Sequence, residues 1–409
     1  MRIGTYKPRQ TGRAKILILI AIITLGACSP KKILKATLRT GGKLAYATVK
    51  KSGEIAFATA GYVATKGIYY ASDPQRIAQD IDDMQTKVLN FLDKVQSIWG
   101  GENIQRSSPT RMVKYIDNFN SRALIDFDAG IVRIETLGAE NFEQRLQNAL
   151  VTTLLSADDP RALDLFSDQP VEISNQPYLL GQVVDQQGEP IDEIAKAEQF
   201  AHHLLRTAMA GDQIKSGSTY KTRHYIEIPM VADHLALRKR KYQPLVLKHA
   251  QTYGVSRNLI FAIIHTESDF NRFAISHIPA FGLMQIVPKS AGRDAFRYIH
   301  KKDGIPSRDY LFDPSNNIEM GSAYLNILDS KYLKGIKNPL SREYCVIAAY
   351  NGGAGRVLRS FSKNRKSAFN KINSRSPAEV YKVLTTKMPT ESRRYLKKVL
   401  AHKKEYVRT

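Results

Sequence analysis

Glu267 stands where an apolar run gives way to a polar turn. The run is Leu259-Ile260-Phe261-Ala262-Ile263-Ile264, and His265-Thr266-Glu267-Ser268 closes it. After the turn comes Ala280-Phe281-Gly282-Leu283-Met284-Gln285-Ile286. A carboxyl group at the end of an oily helix, facing a glycine-containing segment, has the setting that a general acid needs. Apolar neighbours and the negative end of a helix dipole both disfavour ionisation, so its pKa is expected to rise. A carboxylic acid kept neutral near pH 7 can protonate a leaving group. Taken alone, Glu267 reads more simply as an exposed glutamate near a helix end, and its context has to decide.

The elements that must position it are readable. Ser256 is placed to cap a helix from Arg257 to about Glu267. Before it, Pro244 to Tyr253 reads as a helix closed by Gly254. The cluster Arg238-Lys239-Arg240-Lys241 reads as a solvated face at the start of a domain spanning 232–409. Upstream, 72–231 reads as a small α+β domain ending in a connecting strand, Tyr225 to Val231. Within it, a helical pattern starts at Asp73 and stops at Trp99-Gly100-Gly101. Ala123 to Phe127 and Ile131 to Thr136 alternate apolar and polar around Asp128-Ala129-Gly130, which predicts a hairpin. Gly181 to Asp185 and Gly188 to Ile191 suggest a second, looser one. Phe142 to Leu155 and Ile194 to Met209 read as helices. The fold class is α+β: a small α+β domain followed by a mainly α domain.

The chain has 409 residues and a net charge of +23. From residue 241 on, about 30 Lys and Arg face about a dozen acids. Such an excess suits a polyanionic partner or is only a solvated basic face. Cys345 sits in an apolar helical run and reads as an inert core thiol. Cys28 follows a positive segment and the apolar stretch Ile16 to Leu25, which is too short to span a bilayer.

Leu25-Gly26-Ala27-Cys28 resembles the lipobox of bacterial lipoproteins. The resemblance implies a signal peptide at 1–27, acylation of Cys28, and a basic tether over 28–71. Ser29, rather than Asp, after the cysteine implies sorting to the outer membrane. Several acyl chains, at ~0.8 kcal/mol per buried methylene, anchor a protein durably. An exported protein is a poor candidate for nucleic-acid binding, so no nucleic-acid partner is expected.

Several segments occur together and in order after Glu267-Ser268. They are Ser276, Gly282-Leu283-Met284-Gln285-Ile286, Phe312-Asp313-Pro314-Ser315-Asn316-Asn317-Ile318 and Gly321-Ser322-Ala323-Tyr324-Leu325. Ala348-Ala349-Tyr350-Asn351-Gly352-Gly353-Ala354-Gly355 and Pro389-Thr390-Glu391-Ser392-Arg393-Arg394-Tyr395 complete the set. Together they resemble the transglycosylase SLT (soluble lytic transglycosylase) family across most of 242–400. The resemblance implies a helical, lysozyme-like catalytic domain acting on peptidoglycan glycan strands. It implies cleavage of the β-1,4 bond between N-acetylmuramic acid and N-acetylglucosamine, with the muramic 6-hydroxyl closing on C1 to a 1,6-anhydro end. Glu267 would be acid and then base. The substrate's acetamido group would stabilise C1, which removes the need for a second carboxylate.

The resemblance also assigns neighbours. Ser276 would bond the acetamido group or the glutamate, Gln285 and Asn351 would contact substrate, and Met284 would form a soft groove wall. Gly282 would let backbone pass close to the sugar. Tyr350 would point its hydroxyl at the carboxylate, and Tyr395 would line the groove. Asp313 and Glu391 read better as helix caps, and Ser268 as a backbone fixer. Ile278-Pro279 departs from the family's small polar turn. No cofactor or metal is expected. Two rival functions stand beside this one. A goose-type-lysozyme-like hydrolase would use water, with Asp294 or Asp313 aimed at the opposite sugar face. A non-catalytic, wall-binding lipoprotein would use no acid at all.

Overall fold

Alternation in the first domain produces a sheet, and 3.6-residue periodicity in the second produces stacked helices. The computed structural model describes residues 89–159, 163–276 and 280–407. The leader 1–27, Cys28, the tether 28–71, the first part of the helix expected from Asp73, and Ile278-Pro279 lie outside the described residues. Of those described, 89–104 belong to one unit, and 105–276 with 280–407 to another. In the first, residues 89–99 are helical and bury Phe91, Leu92, Val95 and Trp99.

The second unit opens with strands β1 (Arg111–Ile116), β2 (Ser121–Asp126) and β3 (Ile131–Leu137). Helices α1 (Phe142–Leu154) and α2 (Ile194–Thr207) follow, then β4 (Ala210–Ser216) and β5 (Thr219–Pro229). The sheet is antiparallel, in the order β1-β2-β3-β5-β4. Ala123 pairs with Ile134 and Ile125 with Val132, so these residues share one face. That face buries against Leu146, Leu150, Ala197 and Phe200 of α1 and α2. On the other face Arg122 pairs across strands with Glu135, both buried.

The β2–β3 hairpin forms as expected. The second, looser one is reduced to a single antiparallel bridge, Val184 to Pro190, with Asp185 N donating to the Glu189 carbonyl at 2.9 Å. Asp185 accounts for this, because its Oδ1 accepts from Gln187 N at 2.8 Å and Glu189 N at 2.9 Å and closes a local turn instead. Tyr225 to Pro229 is a strand as expected, the second half of β5, and it pairs along its length with β3, while β4 pairs with the first half, Thr219 to Tyr225.

The helices that follow are α3 (His234–Tyr253), α4 (Arg257–Ser268), α5 (Arg293–His300), α6 (Arg308–Phe312) and α7 (Pro314–Ile327). Then come α8 (Pro339–Gly352), α9 (Ala354–Phe361), α10 (Arg365–Asn373), α11 (Pro377–Lys387) and α12 (Thr390–Glu405). α3 starts at His234, well before the expected Pro244, and runs through that proline. Gly254 closes it at φ +61°, as expected. Asp313 caps α7 by accepting from Asn316 N at 2.9 Å. Ser256 precedes α4 without making a side-chain cap bond.

α4 lies at the centre of the helical core. Ile260, Ile263 and Ile264 are buried with Ala348 and Ala349 of α8 and Leu396 and Val399 of α12. Cys345 is a buried free thiol whose pKa burial pushes up to about 12, which matches an inert core residue. Among the described residues no helix is long and apolar enough to cross a membrane.

Candidate active site

Glu267 falls in the last turn of α4, where the helix carbonyls concentrate negative potential. Its side chain keeps a partly exposed rim, while protein packs closely around the carboxyl. Burial pushes its pKa up to about 8; Tyr395 opposes this by hydrogen bonding, Glu391 adds to it, and Lys398 opposes it. The acid is therefore mostly neutral at pH 7. Tyr395 is buried, and its Oη has no partner of conventional hydrogen-bond geometry. The hydroxyl is near enough to Glu267 to act on it and is positioned to complete that bond.

The segment facing Glu267 is a clamped turn. Phe281 and Ile286 exchange backbone bonds at 3.2 and 3.1 Å. Buried Ser268 places its Oγ 2.7 Å from the Leu283 carbonyl and 3.1 Å from that of Ile264, so it fixes backbone as expected. Asn317 supplies the other clamp. Its Nδ2 donates to the carbonyls of Phe281 and Leu311, each at 2.7 Å, and its Oδ1 accepts from Met284 N at 2.8 Å. In the sequence Asn317 lies inside the segment Phe312 to Ile318, where nothing local marks it for this task.

Gly282 has a physical reason of its own. Its φ is +71°, and a Cβ there would lie 2.6 Å from Asn317 Nδ2 and 2.7 Å from the Leu311 carbonyl. The close approach it permits is to the protein's own clamp. Met284, expected as a groove wall, is fully buried, and its side chain packs against Gly321. The wall expectation fails because this side chain is core filling. What Met284 gives the site is backbone: its carbonyl accepts from Tyr350 Oη at 2.9 Å. Tyr350 thus spends its donor on Met284, although its ring lies near enough to Glu267 for the carboxylate to raise the phenol pKa, after burial itself.

Gln285 has φ +46° and donates through Nε2 to the carbonyls of Gly282 at 2.9 Å and Ala274 at 3.1 Å. Its Oε1 is buried without a partner. Ser276 Oγ accepts from Ala280 N at 3.2 Å and so bounds the turn before this segment. Asn351 is tied to α12: Nδ2 donates to Glu391 at 3.2 Å and Oδ1 accepts from Ser392 Oγ at 2.7 Å. Glu391 therefore binds Asn351, and Pro389 precedes α12 where a cap was expected.

Arg238 corrects another expectation. It is 2% exposed, not on a solvated face. The signal was present: Arg238, Tyr242, Val246 and His249 are the buried residues of α3, spaced as one helical stripe. Its guanidinium meets Asp269 Oδ2 at 3.0 Å and the Asp269 carbonyl at 3.1 Å. Asp269 ends α4 in the left-handed region, at φ 52°.

Two residues before Glu267, His265 lies against His402 with ring centroids 3.6 Å apart and planes tilted by 32°, and its Nδ1 meets Tyr406 Oη at 2.8 Å. His265, His402 and Glu405 are near enough together to hold a metal ion; as they stand, His265 Nδ1 is bonded to Tyr406 Oη and His402 Nδ1 meets Glu405 at 3.3 Å.

A family model described as the N-terminal domain of membrane-bound lytic murein transglycosylase C matches residues 77–241. A second, the transglycosylase SLT domain, matches 244–373. A membrane-bound lytic murein transglycosylase C from Yersinia enterocolitica is 43% identical, covering 85% of this chain and 96% of its own. One from Yersinia pestis is 45% identical, covering 81% of this chain and 91% of its own. Among solved structures, the 70 kDa soluble lytic transglycosylase from Escherichia coli is 26% identical over 40% of this chain, with a TM-score of 0.30. An inactive mutant of the lytic transglycosylase Slt from Pseudomonas aeruginosa gives 26%, 40% and 0.29. This chain spans 23% of the length of each of those two.

Proposed function

The chain belongs to the membrane-bound lytic murein transglycosylase C family, and from that premise we propose that Glu267 alone performs both proton transfers in cleaving peptidoglycan glycan strands. The enzyme is a peptidoglycan lytic transglycosylase. The bond cut is the β-1,4 link from N-acetylmuramic acid to N-acetylglucosamine. Glu267 gives its proton to the leaving oxygen as the bond from C1 breaks. The muramic 6-hydroxyl then bonds to C1, and its proton returns to the Glu267 carboxylate. The acid is regenerated, no water is consumed, and the product ends in a 1,6-anhydro ring. The neighbouring acetamido group stabilises positive charge at C1 in the interval.

The observation that carries this reading is a lone, nearly neutral carboxyl between Tyr350 and Tyr395 at the end of α4. The carboxylates that a water-using rival would recruit are occupied. Asp294 accepts from Tyr332 Oη at 2.7 Å, and Asp313 is a helix cap. Gln285, with its unpartnered Oε1, is the best placed of the expected substrate contacts to receive a sugar N–H or hydroxyl. Tyr395 can line the groove from α12. Ser276 and Asn351 can bind sugar only by sharing groups that now brace the protein.

Digestion of sacculi followed by mass spectrometry of the products tests the reaction. Anhydro ends are expected; products heavier by one water, about 18 Da, would establish hydrolysis instead. Membrane association is attributed to acylation of Cys28, with anchoring at the outer membrane facing the periplasm. Fractionation of a Cys28→Ser variant should find the protein soluble; full retention on membranes defeats the anchor.

A further inference from the structure

The residues just past Glu267 do not end in the helical domain. Asp269 is gripped by Nε and Nη2 of Arg238, and the same guanidinium reaches the sheet domain: Nη2 also donates to the Phe127 carbonyl at 2.9 Å and Nη1 to Gln182 Oε1 at 2.9 Å. The Tyr178 hydroxyl donates to the Phe270 carbonyl at 3.5 Å. Asn271 Nδ2 donates to the Pro109 carbonyl at 2.9 Å. Arg272 pairs with Asp158 at 2.8 Å. Phe273 is counted among the sheet domain's own core residues, edge-on to Tyr178 at 4.7 Å. Each residue from 270 to 273 is therefore held by the first domain, and Asp269 is held to it through Arg238. Asp269 and Phe270 also adopt left-handed backbone, at φ 52° and 60°, a conformation that non-glycine residues keep only when surroundings enforce it.

We infer that the sheet domain is part of the catalytic apparatus: through Arg238 it fixes the backbone where α4 ends and so aims Glu267, which makes Arg238 a positioning residue. The inference rests on Glu267 being the acid. The guanidinium fork, with five donors, holds four acceptors at once, the Asp269 carboxylate and carbonyl, the Phe127 carbonyl and the Gln182 amide oxygen, spread wider than the three donors of one ammonium nitrogen can serve. Displacing a reacting group by about 1 Å can cost roughly 100-fold in rate. The first domain thereby acquires a task that needs no sugar contact.

The full chain is assayed on sacculi as Arg238→Lys, Gln182→Ala and Glu267→Gln, with rates referred to the folded fraction measured by circular dichroism. Arg238→Lys keeps a charge opposite Asp269 but loses the reach to Phe127 and Gln182; its kcat should fall roughly tenfold or more with KM within about twofold. Gln182→Ala, altered only on the sheet side, should lower kcat several-fold in the same pattern. A role in folding alone would be rescued by lysine and would leave both rates per folded molecule at the wild-type value, and that result overturns the inference. Arg238→Lys failing to fold leaves the decision to Gln182→Ala. Persistent lysis by Glu267→Gln would instead remove the acid reading, and this inference with it.

Discussion

Glu135 in the sheet and Glu267 at the end of α4 are both drawn out of water, but their neighbours differ. Glu135 is 2% exposed and meets three guanidinium groups: Arg122 at 2.5 Å, Arg133 at 2.6 Å and Arg223 at 3.2 Å. Glu267 sits among tyrosines, with Glu391 and Lys398 acting on it in opposite senses. The first carboxylate is matched and holds cross-strand register. The second is left unmatched, so that keeping its proton is the cheaper state. Asp269 lies between these cases: burial moves its pKa up to about 6 despite Arg238, which lowers it.

Exchanging each acid should break the contrast in opposite ways. Glu267→Gln should reduce lysis roughly 10³-fold while leaving the fold intact. Turbidity loss of sacculi measures it, and a wild-type rate would rule out the acid. Glu135→Ala strands its arginines and should cost about 3–5 kcal/mol, seen as a lower urea midpoint, with lysis per folded molecule unchanged. Gly282→Ala tests the clamp facing Glu267; strain at positive φ and the clash with Asn317 should cost about 2 kcal/mol by the same denaturation.

The pH profile sharpens the contrast further. The first step needs protonated Glu267, so kcat should decline as pH rises through about 8. Stability has the same sign. A raised folded-state pKa contributes stability that is complete below the ordinary glutamate value and is lost as pH climbs through about 8. Glu267→Gln, which cannot ionise, should therefore melt higher than wild type, by an amount that grows across that window. The smallest effect belongs to Tyr395→Phe. Its hydroxyl lowers the pKa of Glu267, so its loss should move the alkaline limb upward and slow turnover by roughly fivefold, the worth of one hydrogen bond near 1 kcal/mol.

Much of this was legible before any coordinates. The apolar run and its terminal acid gave α4, alternation gave the β2–β3 hairpin, and Asp313-Pro314 gave the α7 cap. What escaped was set by partners distant in the chain. Asn317 clamps a turn whose nearest clamped atom lies on another element, and no local pattern marks it. Arg238 looked like one of four surface cations because charge was weighed before helical phase. The resemblance puts Met284 on a groove wall and the Tyr350 hydroxyl against the carboxylate, whereas packing makes one a core residue and turns the other's hydroxyl toward a carbonyl. The second half of β5 reads as a strand, but its polar first half hides the ladder with β4.

The contact of Tyr406 with His265 joins residues 141 positions apart. α12, which carries Tyr395, docks on α4 across this long stretch of chain, and with that docking the acid acquires its oily surroundings. Until then Glu267 is an ordinary, ionised glutamate. The acid that the reaction needs is thus a property of the docked helices and not of the α4 sequence alone.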